Sequence, residues 1–502
     1  MLCVTIGRSR HKAMLAEYQY LAEKGADLVE MRLDYIGRHI DLKRLLAQRH
    51  CPVVITCRRK EDGGRWEKTE QERLMLLRSA IASGVDFVDL EDDIAESIPR
   101  YGATKRIVSL HDFERTPEDL EEIHARLAAM DADVVKIATM ANSFTDCIRM
   151  LRLVESATIP TIGLCMGDMG AVTRILGLRY GAPFTFTTIS SERKIAPGQI
   201  TFETMRDVYR PQQIDETTRL FGVVADPVAH SLSPQIHNAA FHHNGLNCRY
   251  LPFRIISEEL PLFLEWCKQS GVEGLSVTIP HKEAMLGLMD EAESASQGIG
   301  AINTVSIQPP VASGYNTDYR AAMDCLTEAM KTQTVSRNQT VREEDLFRGR
   351  GVLLLGAGGV ARAIGYGLRQ RGADVAIASR TQDRAEELAR AIGGRAIPWA
   401  QRHELRVGIL VNCTPVGMHP DIDRSPYLAE KFHSDVIVFD TVYTPEQTLF
   451  IKDAKSKGCF VINGLDMFVR QAAYQYKLFT GLEPPSRLMR ETVKRLTSPV
   501  KY

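Results

Sequence analysis

Short β-rich runs recur eight times in the first part of the chain, at Leu2–Ile6, Asp27–Arg32, Pro52–Cys57, Asp86–Leu90, Lys105–Leu110, Asp133–Ala138, Pro160–Cys165 and Phe184–Thr187. Segments with helical spacing lie between them, Glu70–Ser83 and Glu118–Met130 among them, so the order is strand, helix, strand, helix. Parallel strands require crossovers of this kind. Eight such units in about 210 residues is the count of a (β/α)8 barrel, whose chemistry sits at the C-terminal ends of its strands. The pattern then breaks. Within YRPQQIDETTRLFGVVAD (Tyr209–Asp226) a helix-like run ends at a proline, a short polar segment follows, and a new apolar strand begins at Leu220.

Bulk composition narrows the partners. Lys plus Arg (62) nearly balances Asp plus Glu (63), so no global basic field exists to hold nucleic acid or an anionic membrane. Small-molecule substrates are the expectation. The ten cysteines are scattered with no CxxC pair, which points to reduced thiols and to neither a disulfide framework nor a metal site. MLCVTIGRS enters a strand directly and no run of about 18 apolar residues occurs, so a cytoplasmic location is expected. An oligomer is compatible with the sequence, which specifies none.

The ends of the barrel strands are unusually polar: Glu30 and Arg32, Arg58, Glu91 and His111 follow runs two to five. Lys136 lies inside the apolar run VVKIA, where a charged amine is costly to bury. Its stem can pack while its head snorkels to the mouth; alternatively it is an amine nucleophile that forms a Schiff base with a carbonyl substrate. An iminium acidifies the adjacent carbon, and His111 is the residue type suited to move that proton near neutral pH. Glu91 can orient the imidazole, as the third group of such a set. Singly, His111 reads equally as a loop histidine and Glu91 as a surface carboxylate in the run EDD; their succession at strand ends favours the site.

EMRLD (Glu30–Asp34), SLHDF (Ser109–Phe113), VKIA (Val135–Ala138) and APGQ (Ala196–Gln199) together resemble type I 3-dehydroquinate dehydratase, over essentially all of residues 1–210. The resemblance implies Lys136 as the Schiff-base lysine, His111 as the shuttle that takes the C2 proton and helps the C1 hydroxyl leave, and Glu91 as its partner. It also implies that Glu30, Arg32, Arg58, Arg174 and Gln199 hold the substrate's hydroxyls and carboxylate, a task to which the planar guanidinium is suited. Ile195 departs from the serine many members carry before APGQ, which bears on affinity more than on chemistry.

After the junction, LFGVVA leads into DPVAHSLSPQIHNAAF, where Ser233 before Pro234 reads as a helix N-cap. GLSVTIPHKEAM, GIGAINTV and GYNTDYRAAM follow; Asp318 reads alone as the cap of a helix from Tyr319, and Lys282 as a solvated helix lysine. Thr332–Asp345 has no apolar period and reads as a connection. Beyond it, GVLLLGAGGVARAIGYGL is a buried-type strand, a GxGxxA turn (Gly356, Gly358, Ala361, with Gly359 between) and a helix, the arrangement that brings backbone to a pyrophosphate at a helix N-terminus. The next strand, DVAIAS, ends at Ser379, Arg380 and Thr381, with Arg384 beyond. Arginine in place of an acid there favours NADP over NAD, although both arginines read equally as solvated.

HSLSP, SVTIPHK, AINT, NTD, GAGGVA and SRT are similar to shikimate dehydrogenase over nearly all of this half. That resemblance implies Lys282 and Asp318 as the catalytic pair at the reacting oxygen. It implies Ser231, Ser233, Thr278, Asn303, Tyr443 and Gln471 as substrate contacts, and Arg380 and Thr381 at the NADP phosphate. Ala225 and Ser276 depart from the commoner glycine and asparagine without removing a catalytic group.

The expected architecture is α/β throughout: a barrel at 1–212, a substrate domain at 218–330 completed by a returning helix at about 472–497, and a Rossmann NADP domain at 345–471. The expected function is bifunctional, Schiff-base dehydration of 3-dehydroquinate followed by NADPH-dependent reduction of 3-dehydroshikimate in aromatic amino-acid biosynthesis. Three rivals stand beside it. A metabolite sensor of the same domains should have lost Lys136, His111, Lys282 or Asp318. A catabolic dehydrogenase using NAD conflicts with Arg380, and a Schiff-base aldolase fused to an unrelated reductase fits the lysine but not the second half.

Overall fold

Successive side chains of a strand face opposite sides, and in the first six strands one face changes from apolar to polar along its length. The computed structural model describes residues 1–336, 338 and 340–498. The strands are β1 Leu2–Ile6, β2 Leu28–Arg32, β3 Val53–Thr56, β4 Phe87–Glu91, β5 Lys105–Asp112, β6 Val134–Met140, β7 Thr161–Met166 and β8 Thr185–Thr188. They form one parallel sheet in the order β7-β6-β5-β4-β3-β2-β1-β8. Among the described residues no ladder joins β7 to β8, so this α/β ring keeps a seam beside the four-residue β8.

Cys3, Leu28, Val54, Ile107, Val134, Ile162 and Phe184 form a buried apolar cluster against which Phe87 packs. Two residues further along their strands stand Thr5, Glu30, Thr56, Asp89, Ser109 and Lys136. In β1 to β6 the cluster is thus an apolar floor under a polar layer, and the period of two carries each of these strands from one to the other; β7 and β8 stay apolar there with Leu164 and Phe186. The crossover helix Glu70–Ala82 starts at a capping box in which Thr69 and Glu72 each satisfy the other's backbone N–H. That fixed start sets where Arg73 enters.

By compactness the chain forms two units: Met1–Thr218 with Asp226–Ser231 and Leu251–Phe263, and Arg219–Ala225 with Leu232–Tyr250 and the described chain from Leu264 onward. After the first eight strands come β9 Arg219–Ala225, β10 Cys248–Arg254, β11 Val272–Val277, β12 Glu291–Ala292, β13 Thr304–Gln308 and β14 Val311–Tyr315, a mixed sheet in the order β10-β9-β11-β13-β14-β12. β15 Gly351–Leu355, β16 Asp374–Ser379, β17 Arg395–Pro398, β18 Ile409–Asn412, β19 Ile437–Asp440 and β20 Phe460–Ile462 form a parallel sheet ordered β17-β16-β15-β18-β19-β20. Counted from its own first strand this is 3-2-1-4-5-6, the doubly wound dinucleotide-binding order, whose ligand crevice opens between the first and fourth strands.

Three local expectations are corrected. The helix from Thr317 runs to Ser336, through the start of the stretch expected to be a connection. Gln333 is buried and its amide reaches the Asp435 carbonyl at 3.0 Å, so polar residues there meet protein instead of water. Residues 337 and 339 of that stretch lie outside the described residues. The C-terminal segment is two helices, Gly464–Thr480 and Ser486–Thr497, divided where Gly481 takes a left-handed φ of 72°. Ser233 is already in its helix, with Leu232 in the cap position. No helix among the described residues is long and apolar enough to cross a membrane.

Candidate active sites

Residues near the ends of β1, β2, β5, β6, β7 and β8 line one pocket together with the loops after β3 and β8. Glu30, Arg32, Arg58, His111, Lys136, Arg174, Ile195 and Gln199 all line it. Lys136 is 5% exposed, and its Nζ donates to Asp89 Oδ2 at 2.8 Å while lying 4.2 Å from the centre of the Phe186 ring. Asp89 is buried, and its other oxygen accepts from Arg58 Nη2 at 2.7 Å and from Ser109 Oγ at 2.6 Å. Burial alone would raise the Asp89 carboxyl, but Arg58 and Lys136 hold it well below the usual carboxylate range.

His111 is half-buried in the last turn of β5, its ring stacked on Phe113. Its Nδ1 lies 2.8 Å from Arg58 Nη1. A guanidinium only donates, so Nδ1 accepts and the neutral ring carries its proton on Nε2. Burial, then Arg58 and Lys136, push the imidazole well below its ordinary value, which keeps it neutral at physiological pH.

The expected His111–Glu91 contact is not what forms. Glu91 Oε2 accepts from Arg73 Nη1 at 2.8 Å, and Oε1 stands 4.0 Å from Arg58. Glu91 therefore reaches His111 only through Arg58. The physical reason is Arg73, fully buried, which arrives from the capped helix and also binds the Cys57 carbonyl at 2.9 Å. Burial, only partly offset by Arg58 and Arg73, raises the Glu91 carboxyl.

Two acids were missed. Asp89 shares a strand face with Glu91, a pattern visible as Phe87, Asp89, Glu91 at a spacing of two; what was not visible is which of the two meets the lysine. Asp62, beside Gly63 in the loop after β3, also lines the pocket, and its sequence context, KEDGG, reads as an ordinary surface turn.

The remaining barrel residues are braced for binding. Glu30 accepts from Thr5 and Thr56 hydroxyls at 2.7 Å each, and Arg32 grips Asp34 with a fork at 2.9 and 2.8 Å. Gln199 Oε1 accepts from the Ile195 and Ala196 amides at 2.8 and 3.3 Å, which leaves its donor end for a ligand. Arg174 is 2% exposed with no ion pair among the described residues; its one hydrogen bond is a long 3.4 Å contact to the Pro197 carbonyl. Burial lowers its guanidinium to about 10. A buried cation without a partner at a pocket wall is a place for an anion.

In the second unit Lys282 Nζ donates to Asp318 Oδ2 at 2.6 Å. Asn316, not Asp318, caps the helix, accepting from the Tyr319 amide at 3.0 Å; Asp318 is free to face the lysine. Asn303 spends its Oδ1 on the Thr317 amide at 2.7 Å and its Nδ2 on the Thr317 hydroxyl at 3.0 Å, docking that helix start onto β13. Gln475 joins the same region, bonding Ser276 at 2.8 Å and the Asn303 carbonyl at 3.1 Å. Thr278 follows β11, with its amide on the Val224 carbonyl at 3.1 Å. Tyr443 stacks on Phe468 at 4.1 Å, and Gln471 bonds the Phe468 carbonyl at 3.1 Å. Ser231 sits in a turn, its amide on the Val228 carbonyl at 3.0 Å, two residues before Ser233.

The glycine turn lies between β15 and the helix Gly359–Gln370. Gly356 has φ 107°, and a Cβ there would stand 3.0 Å from the Cys413 carbonyl just beyond β18, which marks the sheet's crevice. A Cβ on Gly358 would meet nothing within 4 Å, and one on Gly359 would meet Lys282 Cδ at 3.6 Å. Open space over the turn and the lysine stem beside it form a cradle suited to a dinucleotide, with Ala361 fully buried so that helix and sheet pack closely. Ser379, Arg380, Thr381 and Arg384 end β16 or follow it; the last three are exposed, and neither arginine is ion-paired among the described residues.

Comparison with known proteins agrees with this geometry. The type I 3-dehydroquinase family model matches residues 2–216, and the shikimate dehydrogenase substrate binding domain matches 223–305. A bifunctional 3-dehydroquinate dehydratase/shikimate dehydrogenase from Arabidopsis thaliana, a chloroplastic protein, is 36% identical over 97% of this chain and 83% of its own length. The chain belongs to the bifunctional dehydroquinate dehydratase/shikimate dehydrogenase family. In this bifunctional protein, residues 351–442 match a model described as NADP oxidoreductase coenzyme F420-dependent, and 464–494 match the shikimate 5'-dehydrogenase C-terminal domain. A shikimate dehydrogenase (NADP(+)) from Methanopyrus kandleri is 41% identical over 56% of this chain and 96% of its own. A solved shikimate dehydrogenase in complex with NADP+ superposes with a TM-score of 0.51 at 34% identity, covering 57% of this chain and 98% of that one.

Proposed function

We propose that the chain dehydrates 3-dehydroquinate to 3-dehydroshikimate in its barrel and reduces that product to shikimate with NADPH in its second half, two steps of the shikimate pathway. The observation that carries the reading is two separate lysine constellations in one chain: Lys136 with Asp89, Arg58 and His111, and Lys282 with Asp318 beside the glycine turn. The dehydratase is assigned to residues 1–212 and the substrate domain to 218–330 with the C-terminal helices. The nucleotide domain begins at 345 and ends before the helix Gly464–Thr480, which the boundary at 471 would cut. A cytoplasmic location belongs to the same reading, supported by ten free thiols.

In the barrel, Lys136 Nζ condenses with the substrate ketone and the iminium acidifies C2–H. His111 takes that proton and returns one to the departing C1 hydroxyl. Its lone pair is on Nδ1, which becomes available once a substrate group draws Arg58 away. Arg174 meets the carboxylate, while Glu30, Arg32, Arg58 and Gln199 meet hydroxyls and carboxylate.

In the second half, Ser231, Ser233, Thr278, Asn303, Tyr443 and Gln471 hold the substrate. NADPH, when bound, supplies the hydride. The turn Gly356–Ala361 lets backbone approach its diphosphate, and Ser379, Arg380, Thr381 and Arg384 meet the 2′-phosphate. Lys282 protonates the ketone oxygen as charge develops there, and Asp318 keeps the ammonium charged and aimed.

The test uses one purified sample and 3-dehydroquinate without cofactor, following the conjugated enone by absorbance, with NADPH added afterwards. The enone should appear and then be consumed as NADPH oxidises. An enone that never forms would sink the barrel assignment, and failure to reduce supplied 3-dehydroshikimate would sink the second.

A further inference from the structure

We propose that Asp89 is the positioning residue for Lys136, holding Nζ as a cation through both the resting and the iminium states. The inference rests on the Schiff-base reading of Lys136. Among the described residues Asp89 is the only carboxylate within ion-pair distance of that lysine, at 2.8 Å. Its own freedom is removed from the other side, because Arg58 and Ser109 hold Oδ1 at 2.7 and 2.6 Å while Oδ2 serves Lys136. A carboxylate pinned by three donors cannot turn away when the nitrogen changes its bonds.

The chemistry explains why a fixed carboxylate suits this place. The ammonium first gives up one proton so that the free amine can attack the ketone, and over the whole condensation one C–N double bond forms and one C–O double bond breaks. The two protons lost from nitrogen leave with the oxygen as water, and the nitrogen keeps a single positive charge. The counter-charge that pairs with the resting ammonium is therefore the one the iminium needs, with no reorganisation of the site. The Phe186 ring, 4.2 Å from Nζ, favours a cation in both states. Arg58 faces the same carboxylate, so without Asp89 the iminium would form in a buried site beside a guanidinium left, among the described residues, with only Glu91 at 4.0 Å. Glu91 cannot substitute, since Arg73 holds it.

The experiment is borohydride trapping in the intact chain. Hydride adds to the iminium carbon and leaves a secondary amine on Lys136, read as a mass gain with 3-dehydroshikimate as the ligand. Asp89→Asn should lower the trapped fraction at saturating ligand at least 10-fold, and Asp89→Glu should recover part of it. Reduction of supplied 3-dehydroshikimate by NADPH reports that the rest of the chain is folded. A D89N protein that traps as wild type does would overturn the role of Asp89 and leave Lys136 standing. No adduct in wild type, with dehydration retained in Lys136→Ala, would overturn the Schiff-base reading itself. Because D89N strands two buried cations, it can fail to fold; Ser109→Ala, which keeps the ion pairs and removes one donor from Oδ1, is then decisive. Trapping at least 3-fold lower supports the proposal, and trapping equal to wild type overturns it.

Discussion

Replacing Arg174 by methionine should make the barrel more stable and almost inactive. The guanidinium is 2% exposed, lacks an ion pair among the described residues, and is drawn by burial from its ordinary value down to about 10. At about 1.4 kcal/mol per pH unit, holding it charged in the fold costs roughly 3 kcal/mol. The sign follows from a depressed folded pKa: the cost is in full force below about 10 and is relieved only as pH rises toward the ordinary guanidinium value. Methionine keeps much of the length and removes the charge, so after allowance for imperfect repacking the gain should be about 1 to 3 kcal/mol. For a domain of this size that raises the melting temperature by roughly 2 to 10 °C. The same change should lower dehydratase kcat/KM about 30-fold or more, since losing one partner of a buried charge pair costs about 2 to 5 kcal/mol. Calorimetry of the full chain with and without 3-dehydroshikimate separates the effects, because ligand should stabilise wild type more than the variant. A variant that melts below wild type would mean Arg174 has a structural partner. One with unchanged kcat/KM would mean it does not meet the substrate carboxylate.

Lys136→Ala should abolish dehydration while NADPH oxidation with supplied 3-dehydroshikimate continues; loss of both in a folded variant would contradict two separate sites. His111 is neutral because its folded value is depressed, so the acid limb of dehydratase kcat/KM should lie below pH 6.5, and the stability linked to His111 should be lost as pH falls from 6.5 toward the folded value. A limb centred above pH 7 would refute this. Arg380→Ala should raise KM for NADPH about 10-fold or more, the worth of a charge-assisted contact, with NADH kinetics unmoved. Gly356→Ala, at φ 107° with a Cβ 3.0 Å from the Cys413 carbonyl, should weaken NADPH binding and cost about 1 to 3 kcal/mol; equal affinity and stability would show the turn tolerates a side chain.

Much of the site was legible because strands have a short period. Once VVKIA is a barrel strand, Lys136 must share a face with Val134 and Ala138, and SLHD places Ser109 and His111 alike. Each strand's inward face follows from its own residues. The choice between Asp89 and Glu91 did not follow, because both are inward and their heights depend on how neighbouring strands are staggered. Arg73 decided it by capturing Glu91 from a helix about 18 residues away along the chain.

In the second half the same division holds. Asp318 reads locally as a cap, and only the folded start of the helix shows Asn316 doing that work. The stretch after Thr332 looks like a connection until Gln333 finds the carbonyl of Asp435. By itself the sequence determined the alternation of strands and helices in two α/β architectures, the glycine turn and the identities of both lysines, since these depend on local period and backbone freedom. Tertiary structure alone decided which carboxylate meets Lys136 and which meets Arg73 in the barrel. A salt bridge acts over a few ångströms, and chain spacing does not measure that distance.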